Sequence, residues 1–237
     1  MRKDFFIFDN LRSSDFGIGI YGDQLFNSPE RDCKSVSVPG RNGNLIIDSG
    51  NYKNIPQKYK AFIIKDVDVN LDGFRDALLE KSSSYYRLED TIKKDEFRLA
   101  RALPFDVDIV GILKAGEFTV SFDCKPQRFL KSGEIPIEIT SGSSLFNHYS
   151  ETALPLIRVY GNGTLTVGSV SLSVADSDVY TDIDSDLQEC YKDSLAYSKN
   201  SIVTLTNNIF PKLLPGENQI TFTGFSKVEI IPRWWIV

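Results

Sequence analysis

Five aspartates crowd one stretch of the chain: Asp176, Asp178, Asp182, Asp184 and Asp186. Hard cations take carboxylate oxygens, and side chains two residues apart on an extended segment share a face. Asp182, Asp184 and Asp186 could therefore ligate such an ion together. Charge runs are usually solvated, however, and turn and edge-strand chemistry accounts for the same residues. A second candidate, Asp68-Val-Asn-Leu-Asp-Gly73, opens like a calcium loop, with oxygens at alternate residues and a glycine for the sharp turn. Its closing bidentate carboxylate should fall at position 79, which is Leu79. Glu80 comes one residue late, and on a helix that points it about 100° away. The stretch reads instead as a strand-to-helix turn with Asp72 near a helix start.

Covalent and acid-base chemistry has even less to work with. His148 is the only histidine, and it follows Phe146-Asn147 in a Ser/Gly-rich loop with no Gly-x-Ser-x-Gly elbow anywhere to supply a nucleophile. Cys33, Cys124 and Cys190 are odd in number and unevenly spaced, which suits neither a disulfide framework nor a zinc cluster. The glycines at 17, 19 and 22 do not open a helix and lack the spacing of a phosphate loop. A pair of carboxylates for glycoside hydrolysis needs an acid in an apolar pocket opposite a base, and nothing specifies one. The expectation is a protein that is no enzyme, with no catalytic, cofactor-binding or metal-ligating residues.

The elements that would position these groups are mostly strands. Phe118, Val120, Phe122 and Cys124 alternate with Glu117, Thr119, Ser121, Asp123 and Lys125, the period of a strand with one buried face. Pro126 and Ser132-Gly133 then interrupt the sheet. This junction divides the chain into residues 1–130 and 131–237. In the first part, strands are expected at 5–8, 16–21, 85–88, 97–103 and 106–113, with imperfect alternation over Tyr59 to Val69. A hairpin is expected over 36–48, turning at Asn42-Gly43. Leu71, Phe74 and Leu78 shift to helical spacing and predict one helix over about 71–82. The second part has only turn-separated β segments, at 135–139, 154–160, 163–174, 179–183, 202–205, 219–225 and 227–231, which suggest a β-sandwich. Trp234 and Trp235 close the chain, and one of them should point inward.

The 237 residues are 41% hydrophobic and 12% aromatic, enough for substantial cores without covalent staples. Net charge is −5, and its distribution is uneven. Residues 1–130 hold 20 Lys and Arg against 20 Asp and Glu, leaving 7 and 12 for the rest. Neither part has the clustered basic face that dominates affinity for a phosphate backbone, so sequence-independent nucleic-acid binding is not expected, and no sequence-specific nucleic-acid partner is expected either. The apolar run at Phe5 to Phe8 is too short for a signal core and no segment is long enough to span a bilayer, which predicts a soluble product made in a cytoplasm with no membrane partner.

Four stretches in the second part carry a resemblance: Ala153-Leu-Pro-Leu-Ile-Arg-Val-Tyr-Gly161, Tyr180 to Tyr191, Phe210-Pro-Lys-Leu-Leu-Pro-Gly-Glu-Asn218 and Pro232-Arg-Trp-Trp235. With Asp15-Phe-Gly17, Val38 to Gly43 and Phe122 to Pro126, the ordered set resembles the distal tail protein (Dit) family of long, non-contractile-tailed phages over nearly the whole chain. The resemblance implies a mainly β fold, with an amino-terminal ring-forming module carrying one helix and a galectin-like or carbohydrate-module-like β-sandwich. It implies a structural virion protein at the tail tip, a baseplate hub closing into a ring of six. The partners it implies are other copies of the chain, the tail tube protein, a tail-associated lysin or fibre hub, and receptor-binding proteins, with DNA passing through the lumen. Some relatives carry sugar-binding insertions and this chain carries none, which argues against direct binding of host sugars. The alternative class is a carbohydrate-binding module, in which Tyr180, Tyr191, Tyr197, Trp234 and Trp235 would offer stacking faces for a cell-wall polysaccharide.

Overall fold

A computed structural model describes residues 4–21, 27–63, 67–105, 107–110 and 115–237. In chain order the strands of the first part are β1 (Phe6–Phe8), β2 (Leu11–Arg12), β3 (Ile18–Ile20), β4 (Arg31–Val36), β5 (Leu45–Tyr52), β6 (Ile55–Ile63), β7 (Tyr86–Asp90), β8 (Glu96–Ala102), β9 (Val107–Val110) and β10 (Ala115–Cys124), with helix α1 (Val67–Leu79) between β6 and β7. Then follow β11 (Arg128–Leu130), β12 (Ile137–Glu138), β13 (Ser143–Asn147), β14 (Leu156–Tyr160), β15 (Gly163–Val167), β16 (Val170–Val174), β17 (Tyr180–Asp184), β18 (Glu189–Lys192), β19 (Ser194–Ser198), β20 (Val203–Leu205), β21 (Gly216–Thr223), β22 (Lys227–Ile231) and β23 (Trp235–Ile236). The chain forms two compact units, Met1–Arg128 with Val237, and Phe129–Ile236.

The first unit is built on β10. Phe118, Val120, Phe122 and Cys124 are buried as the alternation requires, and β10 pairs antiparallel with β6 from Gly116↔Ile63 to Cys124↔Ile55. The sheet runs β2-β1-β7-β8-β10-β6-β3, and a bridge between Asp4 and Ile20 returns its last strand toward its first, so the sheet curls around its own core. Phe6, Phe8, Tyr59, Phe74 and Phe122 fill that core, with ring centroids of Phe8 and Phe122 5.0 Å apart and of Phe6 and Phe122 5.3 Å apart. Each such side chain contributes about 1.5–3 kcal/mol by burial, and its tilted or edge-on contacts add to that.

The helix begins a turn earlier than the spacing over 71–82 predicts. Val67, Leu71, Phe74 and Leu78 form one buried stripe, and Glu80–Ser82 is a separate 3-10 turn rather than its continuation. Val67 belongs to two patterns in the sequence, the helical stripe and the alternation through Tyr59 to Val69, which obscured the start. Asp72 is consequently mid-helix, exposed and 3.9 Å from Arg75, not near the helix start. Asn70 and Asp72 lie within a helix rather than a loop, so the calcium-loop geometry is absent; the side chain of Asp68 is not among those described. The hairpin of β4 and β5 is present with Val36 opposite Leu45, but residues 37–44 form a long connection rather than a two-residue turn at Asn42-Gly43. Gly40 and Gly43 both take left-handed φ there. Of the strand expected over 106–113, 107–110 are strand and the remainder lie outside the described residues, as do Gly22 and Ile64.

The second unit is a β-sandwich. One sheet runs β12-β22-β14-β17-β18-β19 and the other β13-β21-β15-β16-β20. Ile157, Val159, Ile183, Val228 and Ile230 face Leu165, Val167, Leu172, Val174 and Ile220 across the interior. The single segment expected over 163–174 is two strands folded back at Gly168, with Val167 opposite Val170 and φ +57 at the glycine. Ser143–Asn147, Glu189–Lys192 and Ser194–Ser198 are strands the spacing did not reveal.

Candidate interaction sites

Of the acidic run, Asp182 and Asp184 lie on β17, which is an inner strand between β14 and β18 and not an edge. Thr181 and Ile183 point one way, Ile183 into the core; Asp182 and Asp184 point the other way and are nonetheless buried. Each is held by an arginine. Arg158 donates Nε and Nη2 to the two oxygens of Asp182 at 2.7 and 2.8 Å. Arg233 donates Nη1 and Nη2 to those of Asp184 at 2.7 and 2.8 Å, and Tyr191 and the backbone N–H groups of Asp186 and Leu187 donate to the same carboxylate at 3.1 Å. Burial pushes the Asp184 carboxyl up, but the Arg233 hydrogen bonds, the Leu187 amide and Tyr191 outweigh it and hold the group below the usual range. Asp178 accepts from Lys192 at 2.6 Å and lies 3.3 Å from Lys199, and the Lys192 hydrogen bond lowers its pKa.

Asp182 and Asp184 are therefore spent on internal pairing from an inner strand, which corrects the edge-strand reading for them, while Asp176 and Asp186 are exposed, Asp186 in the turn after β17. Among the described residues no group of three or more His, Cys, Asp or Glu side chains is placed to hold a metal ion. His148 is exposed, its ring centroid 4.7 Å from that of Phe146. The three thiols are free; burial pushes those of Cys124 and Cys190 up to about 12, and only Cys33 is exposed. Gly17 closes a 3-10 turn in left-handed conformation and Gly19 lies inside β3 under the Phe62 ring, so neither belongs to a phosphate loop.

The closing tryptophans divide as predicted, though not on a continuous strand. Arg233 takes φ +55 and turns the chain after β22, which sends Trp234 into the core cluster at 8% exposure. Trp235 is half-buried and donates its indole N–H to the Thr152 carbonyl at 3.0 Å. Gly133 makes this arrangement possible: a Cβ there would stand 2.3 Å from the Trp234 amide nitrogen.

The first unit offers a different kind of surface. Strands β4 and β5 pair with each other as a two-stranded sheet of their own. From Arg31 to Asn51 every residue but half-buried Val36 is exposed, including Ile46 at 58% and Ile47 at 50%, and none of them enters the core cluster. An isolated hairpin is marginal in water, and exposed neighbouring aliphatics on such an arm make it a candidate interaction surface. In the sequence, Leu45-Ile46-Ile47 showed only as a return strand; three consecutive apolar residues, which occupy both faces of a strand, were the available signal.

No known family profile matches the chain, and no characterised protein matches it in sequence. Solved structures do match. One, described as the crystal structure of the SPP1 Dit (gp 19.1) protein, a paradigm of hub adsorption apparatus in Gram-positive infecting phages, superposes with a TM-score of 0.74 over 97% of this chain and 98% of that one. This chain shares the SPP1 Dit fold. At 13% identity the likeness is one of backbone architecture. Chains of the phage P2 baseplate in its activated conformation, with Ca and with Sr, match the same Dit-like fold at TM-scores of 0.57 and 0.56, with 11% and 12% identity, over 97% of each chain.

Proposed function

We propose that the chain is a structural virion protein, a distal tail or baseplate hub located at the tip of a phage tail. The observation that carries the reading is the likeness to a hub protein over essentially the full length of both chains. The ordered sequence motifs point the same way, and so does the exposed β4–β5 arm, which belongs to a protein that assembles. In this reading the arm and the curled sheet of the first unit contact the next copy head to tail, and six copies close a ring, because a repeated heterologous contact closes when its rotation allows. An obligate interface of this kind should bury about 2,000 Å² or more. The tube protein would meet one face, and a tail-associated lysin or fibre hub and receptor-binding proteins the other. The second unit, a galectin-like sandwich, would project outward. The chain performs no catalysis in this account.

Electron microscopy of the purified protein tests it: rings with a central opening are expected, and uniformly separate particles would contradict it. The alternative reading, polysaccharide recognition through the aromatic residues of the second unit, draws little support from their geometry. Trp234 is buried, Trp235 and Tyr191 are hydrogen-bonded inward, and the Tyr180 ring carries the Arg158 guanidinium 4.2 Å from its centroid while its hydroxyl bonds Asp193; of the five, Tyr197 is the one that stands well exposed, at 66%, on the edge strand β19.

A further inference from the structure

A cavity of about 300 Å³ opens in the second unit between β18 of the six-stranded sheet and β20, the last strand of the five-stranded sheet. Its walls are Gln188, Cys190, Asn200, Val203, Thr204, Leu205, Asn208 and Phe210. No lining side chain is charged, although the unit as a whole is acidic. The polar lining consists of three amides and a hydroxyl, groups that each offer both a donor and an acceptor. The apolar lining is two aliphatics and the half-buried Phe210 ring.

The polar groups differ in how they are used. Asn200 is structural: its Oδ1 accepts the Cys190 amide at 2.7 Å and its Nδ2 donates to Glu189. The side chains of Gln188, Thr204 and Asn208 are exposed and have no hydrogen-bond partner among the described residues. Gln188 and Asn208 also sit at left-handed φ, +55 and +56, and Asn207 beside them at +57. A left-handed backbone is unfavourable for a glutamine, so the turn holds its amide at the rim against local preference. The outer face of the neighbouring six-stranded sheet behaves in the opposite way, since Arg158, Asp182, Tyr180, Tyr160, Lys227 and Glu229 all bond one another or a near neighbour.

We infer that this cavity binds one neutral sugar ring. Its volume is at the small end of the range for ligand pockets and suits one ring rather than an extended chain. Hydroxyls that both donate and accept match amides that do the same, an apolar ring face matches Phe210, and the absence of charge disfavours phosphorylated or acidic sugars. A peptide strand is the less favoured ligand, because β20 offers an open edge only three residues long. The inference does not depend on the hub reading, nor on the aromatic residues of the alternative.

The test is an NMR titration of the full-length chain with glucose, galactose, rhamnose and N-acetylglucosamine, with glucuronate, glucose 6-phosphate and trialanine as controls. At least one neutral sugar should shift resonances of Thr204, Asn208 and Phe210. Gln188→Gly and Asn208→Gly remove an amide while accepting the left-handed backbone, so both should fold; each should weaken binding about tenfold. Tyr180→Ala should leave the titration unchanged. Absence of any sugar response, a response only to the charged sugars or to trialanine, or a response indifferent to both glycine variants would overturn the assignment. None of these outcomes bears on whether the chain forms a ring.

Discussion

Arg233 grips Asp184 with both terminal nitrogens, at 2.7 and 2.8 Å, across 49 residues of sequence. The carboxylate is almost wholly buried and the guanidinium is only 27% exposed, so this pair ties the closing segment of the chain to the middle of the sandwich. Removing one member leaves the other uncompensated. Asp184→Asn and Arg233→Leu should each destabilise the second unit by about 3–5 kcal/mol, as breaking buried pairs does. Replacing both by apolar residues should cost less than either single change, and chemical denaturation of the three variants measures it.

The same pair gives a pH dependence with a definite sign. The folded-state pKa of Asp184 is depressed, so its contribution is fully present above the unfolded value of about 3.9 and is lost as pH falls through the lower folded value. Stability of the second unit should therefore be nearly level from neutral pH to about 4 and decline below that. Asp184→Asn should flatten the acid limb. An acid limb equally steep in the variant would show that other carboxylates govern it.

The two tryptophans should respond unequally to truncation. Trp234→Ala should cost about 3–5 kcal/mol, the cost of deleting a large core side chain. Trp235→Phe should lose about 1 kcal/mol with the hydrogen bond to Thr152. Gly133→Ala tests the same region from the backbone side, because its Cβ would collide with main-chain atoms of Arg233 and Trp234 that cannot rotate away. It should destabilise at least as much as Trp234→Ala, as read from thermal unfolding.

Thiol reactivity separates the three cysteines. In the folded protein only Cys33 should react with a small aromatic disulfide, slowly, since its thiol is pushed above the ordinary value by desolvation and by the Asp48 carboxylate opposite it. Cys124 and Cys190 should react only after unfolding. Protection of Cys33 at high protein concentration would further indicate that the arm is covered by another copy.

How far the sequence foretold this structure depends on the range of the interactions concerned. The alternation from Phe118 to Cys124 and the stripe Leu71, Phe74, Leu78 are local periodicities, and both lie in the core as read. The strand β19 carries only a short alternation, Leu195 and Tyr197 between small residues, and all five of its residues are exposed, so no burial reinforces that pattern. The acidic run was legible as chemistry but not as pairing: the partners of Asp182 and Asp184 are 24 and 49 residues distant, and nothing near them distinguishes a buried ion pair from a solvated turn. The rim amides Gln188 and Asn208 left no sequence signal for the same reason, since the cavity is lined by residues from two different sheets.

The central claim is that the chain assembles with itself through its first unit, and native mass spectrometry of the full-length protein tests it most directly. The account predicts a dominant species of six times the chain mass. It further predicts that Ile46→Lys with Ile47→Lys, two changes on an arm outside the core, reduces this species to monomer while leaving thermal unfolding of the monomer essentially unchanged. A wild-type chain that remains monomeric at high concentration, or a hexamer indifferent to both lysines, would contradict it.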